Sequence, residues 1–469
     1  MSPLSRTLIR GGLVITAAEE VHADVLIEGE QIVALAATGS AVAQGWTAES
    51  VIDATGQYVI PGGIDAHTHM ELPFGGTSAS DTFETGSRAA AWGGTTTIVD
   101  FAVQSVGESL RSGLDAWHAK AEGNCAVDYA FHMIMSDVTE NSLKEMDLLV
   151  DEGVTSFKLF MAYPGVFYSD DGKILRAMQR GADNGGLVMM HAENGIAIDV
   201  LVEQALAAGK TDPRYHGEVR RELLEAEATH RAIKLAEVAG SPLYVVHVSA
   251  ASAVAELAAA RDRGLNVFGE TCPQYMFLST DNLAEPDFEG SKYVCSTPLR
   301  PKEHQAELWK GLRTNDLQVV STDHCPFCFS GQKELGRGDF SKIPNGLPGV
   351  ENRMDLLHQG VVEGRISRRR WIEIACATPA RMFGLYPRKG TIAPGADADI
   401  VIYDPNAEQT ISAETHHMNV DYSAYEGKRI TGQVETVLSR GEPVITERAY
   451  VGRAGHGQYT PRGTCQYLI

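Results

Sequence analysis

Eight short apolar runs recur through the middle of the chain, at residues 58–64, 95–101, 127–135, 155–161, 187–191, 243–248, 266–270 and 317–321. Helix-compatible stretches separate them, among them 81–92, 218–239, 251–263 and 302–313. Runs that are apolar throughout fit strands buried on both faces, and helical crossovers between them fit a parallel sheet. Eight such units predict a closed (β/α)8 TIM barrel over residues 59–385. An open doubly wound sheet is the alternative. The barrel is preferred because chemically capable side chains stand at the C-terminal ends of runs all round the array, where barrel active sites lie.

The flanks are β-like instead. Asp24-Val25-Leu26-Ile27-Glu28 and Gln31-Ile32-Val33-Ala34-Leu35 flank Gly29-Glu30, the pattern of a tight hairpin. Ala398-Asp399-Ile400-Val401-Ile402-Tyr403 and Val434-Glu435-Thr436-Val437-Leu438 read as strands far downstream. Neither flank is long enough for a comfortable domain alone. Residues 1–58 and 386–449 are therefore expected to join in one small β-sandwich domain with the barrel inserted between them. Residues 450–469 form a polar, Gly-rich tail.

Composition excludes some partners. A formal net charge of -21 argues against nucleic acid and anionic membrane, which require basic patches. Seven scattered cysteines do not make a disulfide framework in a chain of 469 residues. Residues 1–12 lack a signal-peptide core, and no apolar run approaches transmembrane length. A cytoplasmic setting is the expectation.

The chemistry starts at His67-Thr68-His69, after the first run. Side chains two apart on extended backbone point to one side, so both imidazoles can reach one metal ion. His191 and His247 close later runs, and Asp323 follows the last. Asp323 offers a carboxylate that can bind metal and accept a proton. Lys158 places a cation inside the apolar run Thr155-Ser156-Phe157-Lys158-Leu159-Phe160-Met161. It can snorkel to the strand end, form a Schiff base, or react with carbon dioxide to give a metal-bridging carbamate. The spacing leaves all three open. Leu72, Phe74, Phe160 and Phe167 flank these residues and suit an apolar pocket. Cys325-x-x-Cys328 lacks the second cysteine pair of a structural zinc site.

Motifs along nearly the whole chain resemble the dihydropyrimidinase/hydantoinase family of cyclic amidohydrolases. They are Pro61-Gly62-Gly63-Ile64-Asp65-Ala66-His67-Thr68-His69, Pro73-Phe74-Gly75-Gly76-Thr77, Phe157-Lys158-Leu159-Phe160-Met161-Ala162-Tyr163, His191-Ala192-Glu193-Asn194-Gly195, His247-Val248-Ser249, Ser321-Thr322-Asp323-His324-Cys325-Pro326-Phe327 and Pro394-Gly395-Ala396-Asp397-Ala398-Asp399. The resemblance implies two Zn2+ ions per subunit, with His67, His69 and Asp323 on the more buried one, His191 and His247 on the other, and N6-carboxylated Lys158 bridging both. It implies that a hydroxide shared by the metals opens a cyclic amide to an N-carbamoyl amino acid. Asp323 is then general base and acid, Tyr163 the oxyanion stabiliser, and Ser296 and Asn345 grip the ring through backbone groups. It also implies a homotetramer, with the tail reaching a neighbouring subunit. Allantoinase shares the same metal core. Dihydroorotase is disfavoured, because Glu71 stands where that family has an arginine. A Schiff-base lyase and a non-catalytic scaffold are the readings from other classes.

Overall fold

The computed structural model describes residues 5–468; residues 1–4 of the N-terminal β segment and Ile469 of the tail lie outside the described residues. Eight parallel strands form the central sheet: β1 Gly63–Thr68, β2 Thr95–Val103, β3 Asp128–Ile134, β4 Ser156–Phe160, β5 Leu187–His191, β6 Leu243–Val245, β7 Val267–Thr271 and β8 Val319–Val320. They pair in chain order, and a parallel bridge between Thr68 and His324 joins the two ends. This is the expected (β/α)8 barrel. Every residue of β1, β3, β4, β5 and β7 is buried, which is why these runs show no alternation of apolar and polar residues. Crossover helices begin at side-chain caps: Thr82, Ser109, Thr139 and Asp170 each accept from the backbone N–H three residues on.

The first apolar run divides. Tyr58–Pro61 pairs with Ile400–Thr410 and Leu13–Ile15 outside the barrel, and only Gly63–Thr68 enters it. Gly62 sits at the break, where a Cβ would lie 2.0 Å from Thr96 Oγ1. The outer strands form one continuous ten-stranded sheet that combines both flanks of the chain. Gly29, at φ 60°, supplies the left-handed turn of the hairpin that pairs Glu28 with Gln31. Ile9, Val25, Ile27, Val59, Ile400, Ile402 and Leu438 form this small domain's own core.

A buried charge knot joins the two parts. Lys389 Nζ donates to Asp128 Oδ2 at 2.8 Å and Asp399 Oδ2 at 2.6 Å, and Asp397 Oδ2 lies at 3.2 Å. Arg440 pairs with Asp128 from the small domain and donates to His456 O at 2.7 Å. The three carboxylates have the spacing of a cation site, and the Lys389 ammonium fills that role. The tail then follows its own barrel. Tyr459 packs on Phe131, and buried Arg462 donates to Phe131 O at 2.6 Å and Ser156 Oγ at 2.7 Å. Among the described residues, no helix is long and apolar enough to cross a membrane.

Candidate metal centre and cavity

β1 carries His67 within the strand and His69 just beyond its end, so strand alternation aims both to one side. Their Nε2 atoms lie 3.1 and 3.2 Å from the same atom, Asp323 Oδ1, beyond the end of β8. Lys158 on β4 brings Nζ to 2.8 Å from His67 Nε2. His191 ends β5, and its ring centroid lies 4.6 Å from that of His247, two residues past β6. The His247 ring lies 5.5 Å from His67. The six expected residues thus converge at the C-terminal end of the barrel.

Tyr163, His247 and Asp323 all adopt left-handed backbone, at φ 62°, 41° and 53°. Each such non-glycine residue costs roughly 1–3 kcal/mol, a strain that concentrates at functional sites. Burial holds His67, His69 and His247 well below the ordinary imidazole range, which favours the neutral ring, the form able to ligate a metal. Burial likewise lowers Lys158, against the opposing pull of Asp323.

Three carboxylates support this cluster from behind, and sequence reasoning missed all of them. Glu270, at the end of β7, accepts from His67 Nδ1 at 2.5 Å, from His247 N at 3.1 Å and from the Tyr244 hydroxyl at 2.8 Å. Glu193 pairs with His191 Nε2 at 2.8 Å and with Arg220 at 2.9 Å. Asp65 accepts from Thr322 N and Oγ1, at 3.1 and 2.6 Å, beside Asp323. A carboxylate ending a buried run, or two residues from a candidate ligand histidine, was the available signal.

The donor set fits a cation. With His67 Nδ1 directed at Glu270, its Nε2 lone pair faces Asp323 Oδ1 at 3.1 Å and Lys158 Nζ at 2.8 Å, so two acceptors converge on a point where a cation, here the Lys158 amine, is needed between them. The Nδ1 atoms of His69 and His247 are buried and have no hydrogen-bond partner. Glu270→Ala is expected to weaken metal retention by about 10–100-fold, measured by chelator titration. Unchanged retention would remove Glu270 from this role.

A family model for the amidohydrolase family matches residues 58–444. The chain belongs to this family. This amidohydrolase is 84% identical over 464 residues to a D-hydantoinase of Streptomyces coelicolor, covering 99% of each chain. It is 51% identical over 457 residues to a D-hydantoinase of Geobacillus stearothermophilus, covering 97% of this chain and 96% of that one. The crystal structure of a dihydropyrimidinase from Brevibacillus agri NCHU1002 superposes with a TM-score of 0.96 at 52% identity, covering 98% of this chain and 99% of that one. The family is metal-dependent, and His67, His69 and Asp323 are a candidate ligand group in this member.

The amidohydrolase cavity above the cluster measures about 50 Å³, and a neighbouring cavity of about 590 Å³ shares its walls at Phe74, Tyr163 and Asn345. Asn345 Nδ2 donates to the Tyr163 hydroxyl at 3.3 Å and to Ser296 Oγ at 3.1 Å. Burial raises the Tyr163 pKa, keeping its phenol protonated. Phe74, Phe160 and Phe167 stack beside it, with Phe160 and Phe167 centroids 4.9 Å apart, and Leu72 lines the same wall.

One residue resolves differently from the sequence picture. Glu71 does not face the cavity. Its carboxylate accepts from Phe83 N at 3.3 Å, so the case against dihydroorotase rests on the missing arginine and not on repulsion by Glu71. His324 is a brace: Nε2 meets Asp81 at 2.9 Å, and Nδ1 accepts from Gly349 N at 3.1 Å. Cys325 and Cys328 are both free.

Proposed function

We propose that this amidohydrolase hydrolyses the cyclic amide bond of hydantoins and 5,6-dihydropyrimidines, giving N-carbamoyl amino acids. The observation that carries this reading is one cavity that unites His69, Lys158, His191, His247 and Asp323 with Tyr163, Ser296, Asn345 and an aromatic wall. The similarity to D-hydantoinases and to a dihydropyrimidinase along almost the full chain supports it.

In this reading His67, His69 and Asp323 would hold one Zn2+, and His191 and His247 would hold a second. The neutral Lys158 amine would add to carbon dioxide, forming an N–C bond as one C=O π bond opens and releasing one proton to solvent, and the carbamate would offer an oxygen to each site. When bound, the metal pair polarises the ring carbonyl and makes water acidic enough to ionise near neutral pH. Asp323 takes the proton from the attacking water and delivers it to the departing ring nitrogen. The Tyr163 hydroxyl donates to the developing oxyanion, a contribution of about 3 kcal/mol. Asn345 and Ser296 orient the ring amide. The Phe74, Phe160, Phe167 and Leu72 wall receives the ring substituent and excludes water.

The family resemblance adds a cytoplasmic homotetramer. Ile196 and Val200, one helical turn apart and 52% and 49% exposed, support a contact face between copies. Light scattering of Val200→Asp should report a smaller particle; an unchanged particle removes this face from assembly.

Ring opening of dihydrouracil, a 5-substituted hydantoin, allantoin and dihydroorotate by the zinc-loaded protein tests the activity. Turnover of the first two is the expected result. Turnover confined to allantoin or dihydroorotate, or none at all, would overturn it.

A further inference from the structure

Lys333 is fully buried, at 0% exposure, in a loop otherwise rich in polar residues. An ammonium has three N–H donors, and here each meets a backbone carbonyl: Val294 O at 2.9 Å, Pro344 O at 2.7 Å and Gly346 O at 2.8 Å. Two of these carbonyls flank Asn345, and the third lies two residues before Ser296. Gly346 N also donates to Val294 O at 3.0 Å, so the two segments are already adjacent where the ammonium joins them. Asn345 Nδ2 then reaches Ser296 Oγ at 3.1 Å on the cavity side. Desolvation opposes a charge here and pushes Lys333 down to about 7. A lysine needed only for packing would keep its ammonium in solvent.

We propose that Lys333 is a positioning residue for substrate binding, clamping the 294–297 and 343–347 segments so that Ser296 and Asn345 face the ring amide together. The clamp is anchored from outside. Lys333 N donates to Cys328 O at 2.9 Å, and Gln332 Nε2 donates to Thr77 Oγ1 and Ser78 O, both at 2.8 Å, in the hairpin that carries Phe74. The inference deepens the cyclic-amide reading, and its kinetic arm rests on that reading.

The test uses Lys333→Gln, which keeps two N–H donors, and Lys333→Met, which keeps none; if the methionine variant fails to fold, the glutamine variant decides alone. Hydrogen exchange of the zinc-loaded protein is measured first and needs no substrate. Protection should fall in both the 294–297 and 343–347 segments and stay unchanged around His67 and His191. Hydantoin kinetics follow. KM should rise about tenfold or more for Lys333→Gln and further for Lys333→Met, with kcat within about threefold and zinc content unchanged. Asn345→Ala should raise KM about tenfold in wild type but less than about threefold on the Lys333→Gln background, because the two substitutions remove one device. Unchanged exchange in either segment, an unchanged KM, or fully multiplicative effects overturn the clamp. If wild type opens no cyclic amide, the proposed function fails, and the exchange data still decide the clamp.

Discussion

Asp323→Asn is expected to lower kcat for ring opening by at least about 1,000-fold while KM moves less than about threefold. Asparagine keeps the size of the side chain and one oxygen that can face the Nε2 atoms of His67 and His69, now 3.1 and 3.2 Å from Oδ1. What it loses is the ability to hold a proton between the attacking water and the leaving nitrogen. General acid–base groups contribute about 10²–10⁴-fold, and an amide nitrogen is a poor leaving group without protonation. Asp323 also stands on left-handed backbone braced by Asp65 through Thr322, so the carboxylate has no freedom to be replaced by a neighbour. A kcat within tenfold of wild type would remove Asp323 from proton transfer.

The second large effect is on stability. Lys389→Met should destabilise the fold by about 3–5 kcal/mol, because it leaves Asp128, Asp397 and Asp399 buried around an uncharged side chain. The knot ties β3, the small domain and, through Arg440 and His456, the start of the tail, so the loss acts at three places at once. The pH dependence has a definite sign. Burial already raises Asp399 above the ordinary carboxylate range, against the pull of Lys389, and removing the lysine raises it further. The folded variant then takes up protons before the unfolded chain does, and its deficit narrows as pH falls from 7 toward about 4. Thermal melts of both proteins across that range measure this. A deficit that is constant or widens on acidification would contradict the account.

The barrel was legible in the sequence because burial on both faces imposes continuous apolar runs, and those runs survive as β1 to β8. The division at Gly62 was not. Apolar residues continue through it, and only the close approach to Thr96 reveals the break. The residues that converge at the candidate metal centre were legible because they stand within or just after apolar runs, where a core residue has no reason to be polar. Their supports were hidden for a different reason. Glu270 and His67 are 203 residues apart and meet only when β7 and β1 share one closed barrel. Lys333 reads as a solvated loop residue, since nothing local announces that three carbonyls from two other segments enclose it. Glu71 shows the converse error. Its position in the motif implied a cavity-facing carboxylate, and the left-handed backbone at φ 55° accompanies a side chain directed to a helix start instead.

The most direct measurement is the ring-opening rate of one 5-substituted hydantoin by wild type and Lys158→Ala, each before chelation, after chelation and after return of zinc with bicarbonate. The expected result is wild-type activity that disappears with the metal and returns with it, and a Lys158→Ala variant that is inactive in all three states. Wild-type turnover that survives complete metal removal, or a Lys158→Ala variant as active as wild type, would contradict the central claim.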